Sequence, residues 1–80
     1  MKEETIYLTK YHKLGHYIDE ANQLHVYNLY DTYVAKHYRL YTIVTDLEGN
    51  FLKDKHERAY EAVRTIMLGY GINFNIKVSN

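Results

Sequence analysis

Eighty residues and 9.6 kDa make one small domain, 1–80. Ten Lys plus Arg balance ten Asp plus Glu, five of each sign in either half, which argues against a chain-wide basic nucleic-acid binder, a polybasic membrane anchor or an acidic tail. The absence of Cys removes disulfides, thiolate metal sites and cysteine nucleophiles, and no apolar run approaches the ~18 residues that span a bilayer.

In chain order, Thr5 to Thr9 predicts a strand over 4–9, with Ile6 and Leu8 on one side and Thr5, Tyr7 and Thr9 on the other. Residues 11–22 show no period and predict a loop or an isolated helical turn. Between 20 and 36 the period favours a helix, because Val26, Leu29, Tyr30, Tyr33, Val34 and His37 fall within one arc at 100° per residue. The density of Tyr and Val gives the rival reading, a strand over 24–37. Residues 38–46 are β-branched and aromatic, so a strand is expected there. Asp46-Leu47-Glu48-Gly49-Asn50 then supplies turn chemistry for a short return strand at 51–53.

Asp54 offers an N-cap, and Ala59, Val63, Ile66, Met67 and Tyr70 form one face of a helix over 55–69. Gly69 and Gly71 stand where a left-handed cap is wanted. Ile72, Phe74, Ile76 and Val78 alternate with polar residues, predicting a last strand over 72–79. The order β-α-β-β-α-β is the ferredoxin-like arrangement, an α+β two-layer domain with helices on one face of an antiparallel sheet. The rival reading of 24–37 gives a larger antiparallel sheet covered mainly by the 55–69 helix.

Chemical motifs are scarce. His12 and His16 are four apart, a spacing that can hold a metal on a helix, but Gly15 lies between them, neither flank has a helical pattern, and solvated or half-packed rings are the simpler account. His25, His37 and His56 have no partner at recognisable spacing. Glu3-Glu4 and Asp19-Glu20 are adjacent pairs without the arrangement of an acid–base dyad. No Ser precedes residue 79 and no glycine-rich phosphate loop is present. These observations predict a non-enzyme with neither metal nor cofactor.

Ten Tyr, against two Phe and no Trp, exceed what so small a core holds. Five of them (Tyr27, Tyr30, Tyr33, Tyr38 and Tyr41) lie within fifteen residues, and Tyr7 projects from the non-core side of its strand. Tyrosine brings large contact area at low entropic cost, so these six residues are the expected interaction surface. The function expected is a small cytoplasmic protein-binding regulator or inhibitor, of the kind common among phage and mobile-element accessory proteins. Homodimerisation through the tyrosines or the 72–79 edge is a second form of the same expectation. The alternative is a single-stranded nucleic-acid module that stacks bases on sheet-face Tyr7 and Tyr41 beside Lys10, Lys13, Lys36, Arg39 and Lys77. No RNP-type aromatic signature accompanies it.

Overall fold

The computed structural model describes residues 2–33, 36–50 and 53–75, with backbone alone at 53–55. Four strands, β1 (Glu4–Leu8), β2 (His12–Asp19), β3 (Leu24–Asp31) and β4 (Tyr38–Asp46), precede one helix, α1 (Lys53–Gly69). The strands form an antiparallel meander in the order β1-β2-β3-β4. A helix of 17 residues at about 1.5 Å each is as long as an eight-residue strand at about 3.3 Å each, and α1 packs most closely on β4. This is a small α+β architecture with one helix on one face of an antiparallel sheet.

Registry fixes which side chains share a face. Leu14 lies opposite Leu29, His16 opposite Tyr27, and Tyr27 opposite Ile43. Leu14, Leu29 and Ile43 are fully buried beneath Val63 and Met67 of α1 and Phe74 beyond it, and these six make the core. Tyr7, Tyr27, Ala59, Tyr60, Ile66, Tyr70 and Ile72 pack around them. The opposite face, called here the open side, carries Lys13, Gly15 and Tyr17 of β2, Val26, Asn28 and Tyr30 of β3, and Thr42 and Val44 of β4.

The helix expected over 20–36 is a strand instead, and the ferredoxin-like order does not form. Strand β3 is central, and both of its faces are covered: Leu29 on the helix side, Val26 and Asn28 on the open side. A strand covered on both faces has no polar side to alternate with, so its apolar residues fit a helical arc by accident. Strand β2 lies where a loop or turn was expected. Its Gly15 is the sign of a close approach rather than a break, for a Cβ there would come within 2.5 Å of the Glu3 side chain.

The turns follow their local chemistry. Asp19 accepts from the backbone N–H and side-chain amide of Asn22, holding the 20–23 turn in which Gln23 is left-handed at φ 57°. Asp46 accepts from the N–H groups of Glu48 and Asn50 around Gly49, at φ 91°. After this turn the chain enters α1 at Lys53, so Asp54 falls inside the helix and not at its cap; residues 51 and 52 of the expected return strand lie outside the described residues.

Helix α1 ends as its sequence predicts. Gly71 is left-handed at φ 77°, its N–H bonds the Leu68 carbonyl, and the Ile72 N–H bonds the Met67 carbonyl. This is a Schellman motif, with Ile72 packing back on the core. Ile72 and Phe74 turn inward and Asn73 and Asn75 outward, as the alternation predicts, although 72–75 form no strand; residues 76–80 lie outside the described residues.

Candidate interaction surface

The six tyrosines do not form one surface. Tyr7 and Tyr27 belong to the core rim on the helix side. Tyr27 meets Phe74 edge-on at 5.9 Å and His16 at 4.8 Å, and burial raises its phenol pKa. Tyr30 stands on the open side, where its hydroxyl donates to the Glu3 carboxylate at 2.9 Å. Its pKa is also raised, first by burial and then by the Glu3 bond and charge.

Tyr33, Tyr38 and Tyr41 are exposed, and they lie toward one end of the sheet. Strand β1 stops there at Leu8, β2 starts at His12, β3 stops at Asp31 and β4 starts at Tyr38. The two loops at this end are tied together, because the Thr32 N–H donates to the Tyr11 carbonyl at 2.9 Å. The Tyr33 N–H in turn donates to the Asp31 carboxylate at 2.7 Å. Tyr11 and Tyr33 face each other at 5.8 Å.

Two exposed aliphatics lie toward the same end, Leu8 at 71% on the β1 edge and Leu40 at 41% on the β4 edge, along with Tyr33 at 76% and Tyr38 at 59%. Leu40 is exposed because β4 slips by one residue: Leu29 pairs with Tyr41, whereas Tyr30 pairs with Arg39. The bulge also kinks a strand at the sheet's margin. Leu8, Tyr11 and Leu40 escape sequence reasoning: Leu8 is expected on the core side of its strand, only the loop geometry sets Tyr11 against Tyr33, and Leu40 falls at the one-residue slip of β4. No local signal in the chain marks them.

Of the cations named with the nucleic-acid alternative, Lys10, Lys13, Lys36 and Arg39 lie toward this same end. Lys10 lies 5.1 Å over the Tyr11 ring, and Lys13 lies 4.6 Å over the Tyr30 ring. Arg39 is opposite Tyr30, and Lys36 is exposed in the β3–β4 loop. The acidic residues Asp19, Glu20, Asp46 and Glu48 occupy the turns at the other end.

The histidines of β2 find partners distant in sequence. His12 and His16 lie four apart along β2; His12 pairs with the Tyr70 hydroxyl, while His16 Nε2 lies 2.9 Å from His25 Nδ1. With centroids 5.1 Å apart and planes 27° apart, the two rings meet nitrogen to nitrogen. The Leu47 carbonyl can only accept, so His25 Nε2–H donates to it and its Nδ1 accepts from His16 Nε2–H. Burial, then the His25 ring, lower the His16 pKa, against an opposing pull from Glu4. Among the described residues no three His, Cys, Asp or Glu gather as metal ligands, and no helix is long and apolar enough to cross a membrane.

No protein-family model, curated protein or solved structure matches this chain.

Proposed function

We propose that the chain is a non-enzymatic protein-binding regulator or inhibitor, working in the cytoplasm, whose contact surface is the aromatic end of the sheet. The observation that carries this reading is the exposure of Tyr11, Tyr33, Tyr38, Leu40, Tyr41 and Leu8 toward one end of the sheet, where two joined loops set Tyr11 against Tyr33. Exposed aromatic and aliphatic area in one place is the usual mark of an interface, whereas scattered single residues are not. The proposal therefore narrows the expected surface: Tyr33, Tyr38 and Tyr41 stay, Tyr7 and Tyr27 serve the core, and Tyr30 anchors Glu3.

The nucleic-acid alternative is favoured by one observation, the grouping of Lys10, Lys13, Lys36 and Arg39 around the same rings. Its expected platform is weaker, because Tyr7 packs on the core and Tyr41 lies on the helix side by registry.

Capture from lysate with tagged wild-type protein and a Tyr33→Ser/Tyr38→Ser variant tests the proposal. The variant is expected to melt within a few degrees of wild type and to lose a near-stoichiometric protein that survives nuclease and high salt. Equal capture by both proteins contradicts the surface, and partners lost on nuclease treatment transfer the function to nucleic acid.

A further inference from the structure

Zero net charge conceals a separation of charge along the sheet. At the aromatic end the described side chains include Lys10, Lys13, Lys36 and Arg39 against Asp31 and Glu3; the Asp31 carboxylate already accepts from the Tyr33 N–H, and the Glu3 carboxylate from the hydroxyl of Tyr30, the ring beneath Lys13. The opposite turns carry Asp19, Glu20, Asp46 and Glu48. Lys10 and Lys13 lie over aromatic rings, so cation and apolar surface are presented together. We infer that the aromatic end docks an acidic polypeptide segment, one that places Asp or Glu side chains against these cations and apolar side chains against the tyrosines. This inference rests on the protein-binding reading above and names the chemistry of its partner.

Three features favour a polypeptide over other anionic partners. Leu8 and Leu40 offer aliphatic contact that a stacked base does not need. The neutral chain lacks the long-range field from which polyanion binding draws most of its affinity, while the acidic turns repel a strand running the length of the sheet. A carboxylate-bearing segment needs only the local complement at one end. A second copy is a poorer match, because the Asp19 and Asp46 carboxylates of its acidic end are bound by their own turns.

A random dodecapeptide library displayed on phage and panned over the full chain tests the inference. Parallel panning uses Lys10→Glu/Lys36→Glu, two exposed loop positions, and separately Arg39→Glu. The expected result is enrichment of peptides that mix Asp or Glu with aromatic or aliphatic residues, their affinity falling about tenfold or more on charge reversal. Enrichment of neutral or basic apolar peptides that bind only when Tyr33 and Tyr38 are intact overturns the acidic partner and leaves the protein-binding surface standing. Failure to enrich any peptide, with tight salt-sensitive binding of fluorescein-labelled oligo(dT), overturns both. Self-association of the wild type in sedimentation, abolished by Lys10→Glu/Lys36→Glu, assigns the end to a second copy and overturns the inference.

Discussion

Glu3 lies across the open side with its carboxylate against Gly15, accepting from the Asn28 side-chain amide at 2.9 Å and from the Tyr30 hydroxyl. Asn28 is 4% exposed, and its carbonyl oxygen accepts from the Thr42 hydroxyl, so the group is satisfied only while Glu3 stays in place. Hydrogen bonds to a charged partner contribute about 1.5–3 kcal/mol, and a buried amide left without a partner costs about 1–3 kcal/mol. Glu3→Ala is therefore expected to lower stability by about 2 kcal/mol in urea unfolding, once overlap between these terms is allowed for. Gly15→Ala displaces the carboxylate and costs a similar amount in the wild type. In the Glu3→Ala background the same substitution is expected to be neutral or stabilising, since a Gly-to-Ala change at a compatible site gains about 0.4–1 kcal/mol from the unfolded chain. Equal cost of Gly15→Ala in both backgrounds rules out the cradle.

Among the elements, β3 shows why the tyrosines divide as they do. Its registry sends Tyr27 to the helix side and Tyr30 to the open side, because alternate strand residues face opposite ways. Tyr27→Ser removes a ring that touches Phe74 and His16, and for this half-buried site the expected loss is about 1–3 kcal/mol, below that of a fully buried ring. Tyr33→Ser in the exposed loop is expected to cost less than about 0.5 kcal/mol. Comparable losses at the two positions contradict the division.

The His16–His25 bond ties β2 to β3 diagonally across their pairing. A histidine whose folded pKa is depressed below about 6.5 binds fewer protons folded than unfolded, so its contribution to stability is complete above that pH and is lost as pH falls through the lower folded value. Stability is thus expected to decline from about pH 6.5 downward, and His16→Gln is expected to flatten that slope. An unchanged slope in the variant removes His16 from the account. Asp19 is lowered mainly by the Asn22 side chain and Asp46 mainly by the Asn50 N–H; as depressed carboxylates they act in a separate window, losing their contribution as pH falls below the ordinary carboxylate value of about 3.9.

Legibility in the sequence followed the number of covered faces. Helix α1 and β4 were readable because each has one wet side, and the Gly71 cap because its cause is local. Strands β2 and β3 were not, because a glycine opposed to a carboxylate and a strand covered on both faces leave no simple period. The His16–His25 pair spans nine residues, a spacing that only strand registry gives meaning.

For the whole molecule, the consequence is a division of labour between its two ends. The core of Leu14, Leu29, Ile43, Val63, Met67 and Phe74 holds α1 on β1–β4, and the Asp19 and Asp46 carboxylates of the acidic turns accept from backbone N–H groups. The other end keeps its rings, aliphatics and cations on the surface, where they stabilise little of the fold. The most direct measurement is photocrosslinking in cells with a benzophenone amino acid placed at position 33 of the aromatic end, position 20 of the acidic end and position 44 of the open side. The account predicts one dominant adduct from position 33, none from position 20 and none from position 44. An adduct at position 20 or 44 with none at 33 contradicts it and moves the contact surface elsewhere on the molecule.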